Sequence, residues 1–319
     1  MTHDLALVAD IGGTYARFAL AADGRADLAG ARKYPVDDFP GPIDAAERFL
    51  ADLGSRRPKR FCLAVAGPVT GARSQITNSS WLIDRDAMTR HFDLTDCRVI
   101  NDFAALAWAL PHLAETGVAR LGPPVPARPG PQVVLGPGTG LGVACLAQDG
   151  KTTLALPTEG GHVGFAPANL REVEVLKVLL GQHSRVSAER LLSGPGLEVL
   201  HQVLGEVDGE ARTRLGARQI AEAAANGQDD CLDTVRTFIE MLGSFAGDMA
   251  LVVGARGGVY LGGGLVEHLS PMLEAAPFRQ CFENKGRLAE FVRSIPTFVI
   301  TGRLAALVGA AACLQSPAE

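Results

Sequence analysis

Two apolar runs joined by a glycine bend occur twice in this chain, and that recurrence constrains the fold more than any other feature. Residues 5–9 are apolar, Asp10 closes the run, Gly12, Gly13 and Thr14 form the bend, and 16–21 are apolar again. The order returns with apolar residues at 133–135, a bend over 136–142 and apolar residues at 143–147. Two apolar runs about a short bend read as a β-hairpin. Glycine adopts positive φ and lets backbone N–H groups approach an anion, and successive amides in such a bend make an anion-binding nest. Glycine supplies 37 of the 319 residues, an excess over the usual ~7%, and it is clustered at such breaks. The first bend joins two strands, so it is not the strand-to-helix G-x-G-x-x-G of dinucleotide folds. No G-x-x-x-x-G-K-[ST] phosphate loop is present. Asp10 beside a phosphate nest would repel its ligand unless a cation such as Mg²⁺ lay between them.

The rest of the chain alternates strand and helix patterns. Ile43, Ala46, Leu50 and Leu53 fall at helical spacing, and 61–66 is a continuous apolar run. Asp84 predicts the cap of a helix over 84–92. Val99 and Ile100 end a strand at Asn101 and Asp102, and 103–110 continues as a helix. Residues 122–131 hold five prolines and predict a linker or loop. Helix dominates 171–250, with breaks at Gly194, Pro195 and Gly196 and near 205–209. Strands follow at 259–261 and 295–300, a helix at 305–314. The two hairpins read as halves of a pseudo-repeat, and the length suggests about two domains.

Candidate chemistry sits at the breaks. Asp102, at a strand end, suits a general base and equally suits a helix cap. Asn78, Asn101, Glu159 and Glu189 are further acceptors near glycines, the composition a polyhydroxylated ligand needs; His162 and Glu189 also read as an ordinary loop histidine and a solvated helix start. Net charge is −5, so no basic field favours nucleic acid or membrane. The six cysteines are at least 32 residues apart, without a C-x-x-C zinc or redox motif, and are expected as buried thiols in a reducing, cytoplasmic setting. The N-terminus, with Asp4, does not read as a signal peptide, and no apolar stretch reaches the ~20 residues of a membrane span.

These motifs, in this order, resemble bacterial glucokinase of the non-zinc type, in the actin/hexokinase-like superfamily. The residues that carry the resemblance are 10–14 with Ala16 and Arg17, 66–69, Thr77 and Asn78 with Trp81, 100–103, 136–142, 159–162, 186–196 and 262–264. The resemblance implies a two-lobed α/β fold, ribonuclease H-like, with a central cleft. It implies a small domain of 1–112 plus 303–319 and a large domain of 113–302. The activity implied is ATP-dependent phosphorylation of the glucose 6-hydroxyl, the first step of glycolysis. Asp102 matches the catalytic base. Asn78, Asn101, Asp102, Glu159, His162 and Glu189 match the sugar site. Ala9, Asp10, Ile11, Gly12, Gly13 and Thr14, then Gly138, Thr139 and Gly140, then Gly262, Gly263 and Gly264, match the ATP site, with Asp10 holding Mg²⁺ indirectly. No Cys/His motif follows His162, so zinc is not expected. A homodimer is implied. The alternatives are a kinase for fructose, mannose or an N-acetylated aminosugar, and a sugar-responsive repressor. The repressor would require a DNA-binding segment ahead of Asp10, for which the sequence leaves no room.

Overall fold

The computed structural model describes residues 5–54, 57–113, 117–150, 152–274 and 277–317. The opening tetrapeptide with Asp4 and residues 318 and 319 lie outside them. The chain forms two compact units. The first holds Met1–Gly117, Asp149–Pro157 and Gly302–Glu319, the second Val118–Gln148 and Thr158–Thr301.

In the first unit the opening hairpin is β1 (Leu5–Ile11) against β2 (Tyr15–Ala22), paired antiparallel so that Asp10 faces Arg17 and Ile11 faces Ala16. β3 (Arg25–Ala26) and β4 (Arg32–Pro35) pair with β2, and helix α1 (Pro42–Asp52) follows. β5 (Arg60–Val65) lies parallel to β1 and is buried from Phe61 onward. Strands covered on both faces read as such continuous apolar runs. A small hairpin, β6 (Arg73–Gln75) with β7 (Leu82–Asp84), then leads into α2 (Arg85–Phe92). Asp84 caps that helix as the sequence predicts, accepting from Ala87 N at 2.9 Å. β8 (Asp96–Asn101) runs parallel to β5 and feeds α3 (Asp102–Ala109). The three parallel strands β1, β5 and β8 therefore end side by side, at Ile11, Val65 and Asn101.

The C-terminal helix Ala305–Cys313 closes the other face of this sheet. Leu307, Ala310 and Ala311 pack on Ala6, Val8, Ala19 and Cys62. It crosses α3 so closely that a Cβ on Gly309 would lie 1.7 Å from the Ala105 carbonyl oxygen.

In the second unit β9 (Val118–Leu121), β10 (Gln132–Pro137), β11 (Leu141–Asp149), β13 (Gly258–Leu261) and β14 (Thr297–Ile300) form a sheet ordered β11-β10-β13-β14-β9; β12 (Thr152–Thr158), next in the chain after β11, belongs almost wholly to the first unit. The proline-rich run 122–131 is a loop inside this unit rather than a linker between units, held through Arg128 N to Arg256 O at 3.2 Å. Helices α4 (Leu170–Gln182), α5 (Gly194–Asp208), α6 (Ala217–Ala225) and α7 (Asp229–Val253) build most of the core. In α7 the apolar stripe Val235, Phe238, Ile239, Leu242 and Phe245 follows helical spacing and is buried. Helices α8 (Gly264–Leu273), α9 (Phe278–Glu283) and α10 (Ala289–Arg293) complete the unit. Gly194 and Pro195 open α5 behind the cap Ser193, whereas Gly205 lies within it. All six cysteines are free thiols. Among the described residues no helix is long and apolar enough to cross a membrane.

Gly309→Ala is expected to destabilise the protein by about 3 kcal/mol, because overpacking against backbone cannot be relieved by a rotamer change. Urea unfolding at equal m-value checks it; a loss below about 0.5 kcal/mol would mean that the two helices slide apart freely.

Candidate active site

The strand ends of the first unit gather the acceptors predicted there. Asp10 closes β1. Its Oδ2 accepts from Arg17 Nη1 at 2.9 Å, across the hairpin. Burial raises the Asp10 carboxyl above its ordinary range although Arg17 pulls it down. Behind it, Gly12 N bonds to Tyr15 O at 3.0 Å to form the bend. A Cβ on Gly13 would meet Thr77 O at 2.8 Å and Asn78 O at 3.0 Å, so the bend rests on the backbone of the Asn78 loop. Asn78 itself takes a left-handed φ of 58°. Arg17 is the residue the sequence reading did not assign to the site. Its signal is the register: a hairpin that pairs 11 with 16 must pair 10 with 17.

At the end of β8 the capping role falls to the neighbour of Asp102. Asn101, not Asp102, is the cap: its Oδ1 accepts from Phe103 N at 2.9 Å and Ala104 N at 3.2 Å. Its Nδ2 donates to Gly67 O at 3.2 Å and to Asp102 Oδ1 at 2.9 Å. Two donors and two acceptors exhaust an asparagine amide. Asp102 is the first residue of α3, and its Oδ1 also accepts from Phe103 N at 3.0 Å. Burial, then repulsion from Asp10, raise the Asp102 carboxyl to about 7 against the opposing pull of the hydrogen bonds from Phe103, its own amide and Asn101.

In the second unit the glycine motifs interlock. In the bend between β10 and β11, Gly138 N bonds to Gly140 O at 2.8 Å, and Gly138 O accepts from Gly194 N at the start of α5 at 2.8 Å. Thr139 forms the tip. Gly262, past the end of β13, donates to Leu135 O at 2.9 Å. A Cβ on Gly136 would lie 1.7 Å from Gly262 O, and Gly263, at φ 95°, would bring one to 2.8 Å from Pro137 O. The bend at 138–140 and the run Gly262, Gly263 and Gly264 are thus one backbone assembly, with open space at Gly138 and Gly264.

Glu159, His162 and Glu189 also converge within this unit. Ala188 N bonds to Val163 O at 2.9 Å and Phe165 N to Val186 O at 3.0 Å, tying the two segments together. His162 Nε2 stands 3.9 Å from Glu159 and 3.8 Å from Glu189. Glu189 Oε2 accepts from Leu141 N at 2.9 Å, so the carboxylate also secures the bend at 138–140. A Cβ on Gly161 would lie 2.1 Å from Leu141 O, seating the Glu159 segment on the same strand.

Parallel strand ends bearing acceptors in one unit and interlocked glycine bends in the other define an α/β protein of the actin/hexokinase-like class. Comparison with known proteins agrees. A family model described as Glucokinase matches residues 7–317. A glucokinase of Caulobacter sp. (strain K31) is 44% identical over 312 residues, covering 97% of this chain and 95% of that protein. A glucokinase of Chromobacterium violaceum is 40% identical, covering 97% and 88%. The crystal structure of a glucokinase from an Antarctic psychrotroph superposes with a TM-score of 0.88 at 35% identity, covering 98% of each chain. The chain belongs to the glucokinase family.

Gly140→Ala places a Cβ 2.5 Å from Glu189 Oε2 and is expected to drive Glu189 off the Leu141 amide. Losing a hydrogen bond to a charged acceptor should cost about 2 kcal/mol. Gly138→Ala, with nothing within 4 Å, should be close to neutral. Equal losses in denaturant unfolding of the two variants would show that Glu189 does not secure the bend.

Proposed function

We propose that the chain transfers the γ-phosphoryl group of ATP to the 6-hydroxyl of D-glucose, with Asp102 as general base. The observation that carries this reading is the placement of Asp102: a buried carboxylate at a strand end, gripped by Asn101 Nδ2 at 2.9 Å while Asn101 caps the helix, with burial and Asp10 raising its carboxyl to about 7. That value suits a base working near neutral pH. Asp102 takes the hydroxyl proton as the oxygen bonds to phosphorus, and the phosphoryl group leaves ADP behind. Asn101 also orients Asp102 through its Nδ2. Asn78, Asn101, Asp102, Glu159, His162 and Glu189 hydrogen-bond the sugar hydroxyls.

For ATP we assign Ala9, Asp10, Ile11, Gly12, Gly13 and Thr14 to one set of phosphate contacts and Gly138, Thr139 and Gly140 to the other. Backbone amides and the Thr14 and Thr139 hydroxyls stabilise charge on the transferring group. Gly262, Gly263 and Gly264 receive the adenosine. Mg²⁺ accompanying ATP supplies charge neutralisation at its phosphates. Asp10, a buried strand-end carboxylate paired with Arg17 at 2.9 Å, would hold that ion indirectly. We further propose a small domain of 1–112 with 303–319, a large domain of 113–302, a homodimer and a cytoplasmic setting.

Initial rates of sugar-dependent ADP formation across several hexoses and phosphoryl donors test the reading; no rate with glucose and ATP would end it. Asp102→Ala should lower kcat by ~10²–10⁴-fold with a much smaller change in glucose affinity, and a comparable kcat would remove the base assignment.

The pH dependence follows from the same group. Below about 7 Asp102 holds its proton, so kcat/KM for glucose should fall tenfold per pH unit. Its folded-state carboxyl lies above the unfolded value of 3.8, so the native state binds more protons between those pH values and stability drops as pH rises through them. Asp102→Asn should therefore raise stability at pH 8, by up to a few kcal/mol, and change it little at pH 4. A melting temperature unchanged at pH 8 would show that the carboxylate carries no such penalty.

A further inference from the structure

Cys62, within β5, and Cys313, the last residue of the C-terminal helix, lie in one apolar cluster of the first unit, between its sheet and that helix. Their thiols hydrogen-bond to one another. Strand register accounts for the meeting. Cys62 stands opposite Arg98 of β8, and side chains directly opposite in a sheet share a face. Arg98 reaches over that face to the helix end. Its Nη1 donates to Cys313 O at 2.7 Å and to Ser316 Oγ at 3.0 Å, and its Nη2 donates to Ser316 O at 3.0 Å. Arg60 of β5 donates to Leu314 O. Both arginines are paired with Asp96, so the strands seat the helix end with Cys313 against Cys62. The same register keeps Cys97 apart: it pairs with Phe61 on the opposite face, and its thiol bonds to Thr89.

The two sulfurs are not equivalent. The hydrogen bond that Cys62 donates, with Arg98 alongside, lowers the Cys313 thiol against the effect of burial. The same bond, and burial, push the Cys62 thiol well above its ordinary range. The thiolate is the nucleophile in thiol oxidation, so Cys313 is the sulfur that reacts first. Cys313 is also the more accessible, 5% exposed where Cys62 is fully buried, and it sits at a helix end, where local opening costs least.

We propose that Cys62 and Cys313 are a redox-active pair that hydrogen peroxide converts to an intrachain disulfide, tying the C-terminal helix to β5. The Cys313 thiolate bonds to one peroxide oxygen, the O–O bond breaks, and the departing oxygen takes up protons to become water. Cys313 is left as a sulfenic acid. The Cys62 sulfur then bonds to the Cys313 sulfur, the S–O bond breaks, and the hydroxyl leaves as water with the Cys62 proton. Two thiols have lost two electrons and two protons, and the peroxide has become two waters. Such a bond is transient wherever thiol reductants prevail. While it lasts it pins the helix whose Gly309 rests on the Ala105 carbonyl, and so secures the buttress of α3.

The test is treatment of the folded, full-length protein with hydrogen peroxide, followed by thiol counting in denaturant and peptide mapping without reductant. The six thiols should fall to four, with a cross-linked peptide joining Cys62 to Cys313, and dithiothreitol should restore all six. Amide exchange over residues 305–313 should slow by about tenfold in the oxidised protein, since a covalent tie opposes local opening. Cys62→Ala should halt the reaction at the Cys313 sulfenic acid, captured as a dimedone adduct, and Cys313→Ala should lose no thiol. Cys97→Ser should still lose two, and serves if either of the others fails to fold. Six thiols after treatment, a cross-link through Cys97, a loss that survives Cys313→Ala, or unchanged exchange in the oxidised helix overturns the proposal.

Discussion

The first unit is organised around one side-chain amide. Asn101 caps α3, holds the Gly67 carbonyl and grips Asp102, so a single residue fixes the helix start, the loop after β5 and the orientation of the Asp102 carboxylate. Capping by asparagine is worth about 1 kcal/mol. Its larger effect is to take that duty from the neighbouring carboxylate. Hydrogen bonds from Phe103 N, its own amide and Asn101 hold the Asp102 carboxyl down, and burial with the nearby charge of Asp10 outweighs them.

The second unit relies on absent side chains. Gly136 against Gly262, Gly263 against Pro137 and Gly161 against Leu141 are approaches of backbone to backbone that no Cβ permits. Three motifs far apart in sequence become one assembly because each is glycine where the others touch it. Glu189 then joins this assembly to the Glu159 and His162 segment through one amide. Whatever moves the carboxylate moves the bend.

Periodicity made much of this legible. The apolar runs about Asp10 and Gly138 gave the two hairpins, and the continuous run after Arg60 gave a strand buried on both faces. Asp84 was readable as a cap because the helix behind it has clear spacing. Asp102 was not separable from a cap, since Asn101 and Asp102 are both capping residues and only geometry says which one turns back. Arg17 was hidden because its partner lies across a strand pair rather than along it. The hairpin of β6 and β7 was missed because each strand is three residues long and half exposed, too short for alternation to show. The order of parallel strands, set by crossovers, leaves no local trace.

The helix that crowds α3 through Gly309 is made only after the whole of the second unit has been synthesised. Until then Ala6, Val8 and Cys62 lack the apolar cover that Leu307 and Ala310 provide. Before that segment is made the first unit is an unfinished sheet with one apolar face uncovered, and Asp102 opens a helix that still lacks its buttress. The first unit is therefore completed only when the chain returns to it from the second.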